Sequence, residues 1–233
     1  MQRYFNDNQD KRFYLDEDDS KHIIKVMRMK LNDEIELVSN SKLYLCKIVE
    51  INKKVKVEKI KELDSVDATN NVMIVQALVS EQKLSYIIQK ATELGVKEII
   101  PLRTTRSKIK ITDEKKKLQR WQKIAKEASE QSKRINIPKI DRILSIADLN
   151  ELEGDIKLLC TVNEKAKYLK KHLNNLNKDD RIIIVIGPEG GFTKEEENIL
   201  SKTYQSVSLG DLVLRTETVS SFVLSIINYI LRS

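Results

Sequence analysis

Cysteine, histidine, proline and glycine are all scarce in this chain of 233 residues, which has 2, 2, 3 and 6 of them respectively. Cys46 and Cys160 are too few and too isolated for a disulfide framework or a CxxC zinc site. His22 and His172 add too little for a protein-built metal centre, so no metal is expected. So little glycine and proline excludes collagen-like and linker-dominated chains. No apolar run approaches the roughly 18 residues that a membrane span requires. Residues 1–7 lack the basic-then-apolar pattern of a secretion signal, so the expectation is a cytoplasmic protein without membrane attachment. What is present is 40% hydrophobic and 33% charged side chains, the balance of a folded chain with one large or two small domains.

The formal charge of +7 is unevenly placed. Residues 1–70 carry equal numbers of acidic and basic groups. Residues 103–134 carry Arg103, Arg106, Lys108, Lys110, Lys115, Lys116, Lys117, Arg120, Lys123, Lys126, Lys133 and Arg134 against only Asp113, Glu114, Glu127 and Glu130. A concentrated basic surface attracts a polyanion through counterion release, which makes nucleic acid the leading partner. A solvated lysine-rich helix accounts for the same charges equally well.

Hydrophobic periodicity divides the chain in two. Residues 34–38, 43–49 and 55–60 alternate apolar and polar side chains between polar breaks, predicting an antiparallel meander that closes as a small β-barrel. Periodicity is lost over 63–71, the expected boundary between a domain at 1–68 and a second at 72–233. Residues 72–79 are apolar apart from Gln76, as in a strand buried on both faces. Leu84, Ile87, Ile88, Ala91 and Leu94 mark a helical face that Gly95 is placed to end, and 97–102 starts another strand. In the basic segment Leu118, Trp121, Ile124, Ala125 and Ala128 share one side of a helix, which reads Trp121 as a core anchor. Further buried strands are expected at 156–161 and 181–186, with an apolar helix at 219–231. The sum is an α/β domain with a mostly parallel sheet.

The most informative stretch is the strand running into Gly187-Pro188-Glu189-Gly190-Gly191-Phe192, followed by Thr193 and Glu196 at capping-box spacing. Glycines at the carboxyl end of a parallel strand let backbone approach a ligand closely. The spacing is not GxGxxG, and no Gly-Lys-Ser/Thr follows; Pro188 removes a donor and Glu189 adds negative charge, so pyrophosphate is a poor match. A second stretch, Leu209-Gly210-Asp211-Leu212-Val213-Leu214-Arg215-Thr216-Glu217-Thr218, leads into the last helix. By itself Arg215-x-Glu217 is also explained by a surface ion pair and a threonine cap.

Taken in order, these two stretches resemble the RsmE-type ribosomal RNA methyltransferases of the SPOUT superfamily. Further agreement comes from His22 with Arg28, the block Gln89-Lys90-Ala91-Thr92-Glu93-Leu94-Gly95-Val96, Arg106-Ser107, and Glu127-Ala128-Ser129-Glu130-Gln131-Ser132 with Arg134 and Pro138. The resemblance covers essentially the whole chain. It departs at Asn32, where glycine is frequent, at Leu212, where a basic residue is common, and at Val219, where alanine is usual. The Asn32 change is mild because asparagine tolerates the left-handed conformation.

The resemblance implies a PUA-like N-terminal β-barrel that binds RNA. It also implies a C-terminal SPOUT α/β domain whose deep trefoil knot holds S-adenosyl-L-methionine. The implied activity is methylation of N3 of a uridine in 16S rRNA, with rRNA or the 30S subunit as partner and a homodimer as the assembly. Residues carried over to the cofactor are Thr161, Gly187, Pro188, Glu189, Gly190, Gly191, Leu209, Gly210, Leu214 and Thr216. Those carried over to catalysis are Arg215, as orienting and electrostatic group, and Glu217, as proton acceptor or positioner. Those expected on RNA are Arg3, His22, Arg28, Arg106, Lys115, Lys116, Lys117 and Arg134. Two other readings stay open: a noncatalytic RNA-binding assembly factor, and a SPOUT methyltransferase acting on tRNA or another rRNA nucleotide.

Overall fold

A computed structural model describes residues 1–232. The chain forms two compact units, Met1–Ala68 with Ser129–Asn136, and Thr69–Ala128 with Ile137–Ser233.

In the first unit β1 (Arg3–Phe5), β2 (Arg12–Tyr14), α1 (Glu17–Lys21), a π-helical turn (His22–Met27), β3 (Glu34–Ser39), β4 (Lys42–Ile51) and β5 (Val55–Leu63) follow in sequence. The sheet order is β1-β3-β4-β5-β2, with β1 parallel to β3 and the other pairs antiparallel. Alternation puts Ile35, Leu37, Cys46, Ile48, Val55 and Val57 into one core with Tyr4, Phe13 and Ile23. Asn40 and Ser41 both take positive φ, 49° and 59°, as a two-residue hairpin between twisted strands requires. Register irregularities after Leu45 and Ile48 bend β4, the longest strand.

Residues outside the meander supply contributions that no local pattern announces. Ile135 packs with Val38 and Leu43. Arg3 is buried, pairs with Glu36 at 2.9 Å and donates to the Lys133 and Arg134 carbonyls. Burial alone would raise the Glu36 carboxyl, but hydrogen bonds from Arg3 and Lys133 hold it below its ordinary range.

The second unit contains β6 (Val72–Ala77), α2 (Glu81–Glu93), β7 (Glu98–Arg103), α3 (Glu114–Gln131, whose last turn belongs to the first unit), β8 (Leu144–Ser145), a 3-10 turn (Ala147–Glu151), β9 (Ile156–Cys160), α4 (Leu169–Leu173), β10 (Ile182–Ile186), α5 (Lys194–Leu200), β11 (Gln205–Val207) and α6 (Thr216–Arg232). Every pair in its six-stranded sheet is parallel, in the order β11-β9-β10-β6-β7-β8. Helices cover both faces, so β6 and β10 are buried along their whole length and read as continuous apolar runs. Val72, Ile74, Ile182 and Ile184 pack under α2, α3, α4 and α6. Met73, Val75, Ile183 and Val185 pack on the opposite face with Leu149, Leu200 and Tyr204. Gly95, at φ 83°, ends α2 as its position suggests. No helix among the described residues is long and apolar enough to cross a membrane.

Trp121 is fully buried in this core, and its Nε1 has no hydrogen-bond partner. Its contribution is therefore packing alone. Trp121→Ala should lower the unfolding free energy by about 3–5 kcal/mol, whereas Trp121→Phe, which removes the orphaned N–H along with some volume, should cost about half of that or less. Chemical denaturation followed by circular dichroism compares the two; equal losses would mean that the indole N–H, not its volume, matters.

Candidate active site

Three neighbouring parallel strands, β11, β9 and β10, end on the same side of the sheet, where ligands of open α/β sheets bind. The loops after β9 and β11 enclose a cavity of about 420 Å³, with Thr161, Leu209, Gly210, Leu214 and Val219 in its wall. Backbone bonds between Ser208 and both Lys167 and Leu169 join the two loops, and Thr161 Oγ1 donates to Glu197 Oε1 at 3.0 Å, fixing the β9 loop to α5. Gly210 sits at φ 118° with open space where a Cβ would be, so backbone conformation, not crowding, is what demands glycine there. Burial pushes the Cys160 thiol, also in this wall, up to about 12, leaving it a neutral packing group.

The turn after β10 does not line the cavity. Gly187, Pro188, Glu189, Gly190 and Gly191 form a separate tight element, closed by Gly191 N–H donating to Pro188 O at 2.9 Å. Gly191 takes φ 67°, and a Cβ on Gly187 would lie 3.0 Å from the Phe192 ring. Arg106, expected on RNA, is exposed, donates to the Gly190 and Phe192 carbonyls and packs its stem against Gly190. Its guanidinium thus braces this turn, a role that only the approach of the loop after β7 creates. The capping box of Thr193 and Glu196 is formed as its spacing indicates, and Glu196 also accepts from Thr105 N–H at 2.7 Å.

A buried chain of hydrogen bonds connects this turn to the start of α6. Gln76 Nε2 donates to Thr216 Oγ1 at 3.0 Å, and Thr216 Oγ1 donates to Gly187 O at 2.8 Å. Arg215 and Glu217 flank Thr216. Arg215 is exposed, while Glu217 is more enclosed and pairs with Lys83 Nζ at 3.2 Å. Lys83 also binds Glu189, whose other oxygen is held by Lys108. Hydrogen bonds from Lys108 and then Lys83 hold the Glu189 carboxyl at about 2. The Lys83 ammonium is raised by its hydrogen bond to Glu189, against some burial and with help from Glu217.

Sequence reasoning missed Lys83, Lys108 and the role of Gln76. Gln76 was visible as the one polar residue in an apolar run. Lys83 could have been found as a cation in the first turn of α2, the helix end that favours anions.

The residues expected on RNA fall into distinct environments. In the first unit Arg28 is exposed at φ 52°, ending the π-helical turn, and His22 Nδ1 lies 3.0 Å from the Tyr4 hydroxyl. Arg3 and Arg134 are buried and serve the interior of that unit, Arg134 Nε donating to Asn136 O at 3.0 Å. In the second unit Lys115 and Lys116 are exposed, whereas Lys117 is drawn back into an ion pair with Glu81. No cluster of three or more metal-ligating side chains occurs among the described residues.

Residues 67–228 match the family model described as RNA methyltransferase domain, and residues 15–60 match RNA methyltransferase PUA domain. Ribosomal RNA small subunit methyltransferase E of Bacillus subtilis is 34% identical over 98% of this chain and 96% of its own. The protein of that name from Mesomycoplasma hyopneumoniae is 33% identical over 97% and 98%. Among solved structures, a Legionella pneumophila methyltransferase with bound cofactor SAM superimposes with a TM-score of 0.90 at 28% identity, covering 97% of this chain and 96% of that one. A Neisseria gonorrhoeae ribosomal RNA small subunit methyltransferase E bound to S-adenosyl methionine gives 0.88 at 26%, covering 99% and 98%. An α/β domain with a parallel sheet, a PUA domain and relatives of one name along nearly the full length agree, and the chain belongs to the ribosomal RNA small subunit methyltransferase E family.

Proposed function

We propose that this protein transfers a methyl group from S-adenosylmethionine to N3 of a uridine in 16S rRNA. The observation that carries the reading is the placement of Arg215, Thr216 and Glu217 at the head of α6, directly after the loop that walls the cavity, in a chain of this family. The cavity fits the cofactor: about 420 Å³ lies within the range of small-molecule sites, and its wall combines apolar residues such as Leu209 and Leu214 with polar ones such as Thr161 and Ser208. Thr161, Leu209, Gly210 and Leu214 would hold the ligand there, with Thr216 and the turn of Gly187, Pro188, Glu189, Gly190 and Gly191 shaping the adjoining strand end. When bound, S-adenosylmethionine supplies an electrophilic methyl group.

The chain's own part is to position the uridine and manage its proton. Uridine N3 carries a hydrogen that must leave as the new N–C bond forms. The Glu217 carboxylate accepts that proton, and the Arg215 guanidinium stabilises the negative charge developing on the uracil carbonyl oxygens. Arg28 with His22 in residues 1–68, and Lys115 and Lys116 in residues 72–233, contact the RNA, whose target base must leave its stack to be reached. The parallel order β11-β9-β10 and the bonded loops after β9 and β11 support a deep trefoil knot, and the antiparallel meander of β3, β4 and β5 supports a closed PUA-like barrel. Phe222 and Tyr229, exposed and seven residues apart along α6, support a homodimer through that helix.

Calorimetry should detect S-adenosylmethionine binding to the folded wild type, and Gly210→Val should weaken it at least about tenfold through backbone strain of about 1–3 kcal/mol. No heat with the wild type would remove the cofactor assignment and leave an RNA-binding protein. Arg215→Ala and Glu217→Ala should each slow single-turnover methylation of small-subunit particles about a hundredfold while cofactor affinity stays within about twofold. Near-normal turnover in both would move the chemistry elsewhere. Reversing Lys115 and Lys116 to Glu should weaken 16S rRNA binding and flatten its dependence on salt, without touching cofactor affinity. Unchanged salt slopes would make this face merely solvated.

A further inference from the structure

We infer that Lys83 is the positioning residue for Glu217, tying its carboxylate to α2 in the orientation that meets the uridine. The inference rests on the reading of Glu217 as proton acceptor.

Lys83 stands in the first turn of α2, three residues after Ser80, where the helix dipole disfavours a cation. What offsets that cost is two carboxylates brought from separate parts of the chain. Glu189 comes from the turn after β10 and Glu217 from the first turn of α6, and neither lies near Lys83 in sequence. The two partners depend on it unequally. Glu189 keeps Lys108 on its second oxygen, so it retains a counter-ion if Lys83 is lost. For Glu217, Lys83 is the only cation paired with it among the described residues. All three side chains are partly shielded, with Glu217 the least accessible at 17%.

Without Lys83, Glu217 would lose its ion-pair partner while Glu189, which shares that lysine, kept its charge, and like-charge repulsion would turn the Glu217 carboxylate out of position. A carboxylate turned out of reach cannot take the N3 proton. The other charged groups around the cluster act on different partners or less directly. Lys108, from the loop after β7, is committed to Glu189, and Arg215 on α6 is exposed. Glu81 on α2 is itself paired with Lys117 and Arg120 of α3. The ion pair thus ties the base to α2, a helix packed on the face of the sheet, so that its carboxylate is held in one place before RNA arrives.

The test compares wild type, Lys83→Met, Lys83→Gln, Lys83→Arg and Glu217→Gln, each confirmed folded by circular dichroism. Single-turnover methylation of small-subunit particles is followed from pH 5.5 to 9 beside cofactor affinity. The expected result is that Lys83→Met and Lys83→Gln lose about tenfold in rate across this range, as misplacement of a reacting group does. Lys83→Arg should stay within about threefold of wild type, and cofactor affinity should not change. Independently of turnover, the carboxyl ¹³C resonance of Glu217, assigned by its loss in Glu217→Gln, should move in Lys83→Met and return towards its wild-type position in Lys83→Arg. Wild-type rates in Lys83→Met with an unmoved carboxyl resonance would overturn the inference. Wild-type turnover by Glu217→Gln would instead overturn the underlying assignment of the base, and the role of Lys83 with it.

Discussion

The site depends on the hydrogen-bonded chain from Gln76 through Thr216 to Gly187, which lies inside the sheet's protein layers and joins three segments distant in sequence. Each bond contributes only about 1 kcal/mol net, but a buried polar group left without its partner costs about 1–3 kcal/mol. Gln76 already leaves its Oε1 unsatisfied, so the interior accepts a penalty to keep this amide at the carboxyl end of β6. The return is geometric. The threonine that begins α6 is fixed to the turn that follows β10, so residues on either side of Thr216 are presented from a rigid base.

Around that anchor, the loops divide their work. Those after β9 and β11 form the cavity, while the glycine turn after β10 is a braced structural element held by Arg106, Thr216 and the lysine pair on Glu189. Glycine serves two different ends in this region. Gly210 and Gly191 meet a backbone requirement, and Gly187 makes room for the Phe192 ring. Together Gly187 and Gly191 give a turn whose shape sets where its neighbours stand.

Charge follows the same logic. The basic segment 103–134 looks like one cationic patch, yet Arg106 is turned onto carbonyls, Lys108 onto Glu189, Lys117 onto Glu81 and Arg103 onto Glu114. Lys115 and Lys116 keep their charge exposed. Surface ion pairs of this kind contribute little stability. Their consequence is to direct where the remaining positive potential points.

The elements with a strong period were legible from sequence alone. The meander from 34 to 60, the two-sided strands β6 and β10, the stop at Gly95, the capping box at Thr193 and the buried face of α3 all follow from the side chain repeating every two or 3.6 residues, or from a local backbone preference. The order of the glycine turn and the Arg215-Thr216-Glu217 segment also sufficed to indicate the family. Tertiary structure decided the rest, because long-range pairing leaves no periodic trace. Strand order alone brings the ends of β11, β9 and β10 together, and only folding places Lys83 between Glu189 and Glu217 or turns Arg3 and Arg134 inward. The irregular pieces, the π-helical turn with its left-handed Arg28 and the short β1, β2 and β8, were hidden for the same reason. Their conformations are set by the neighbours they pair or pack with, and those neighbours lie far away along the chain.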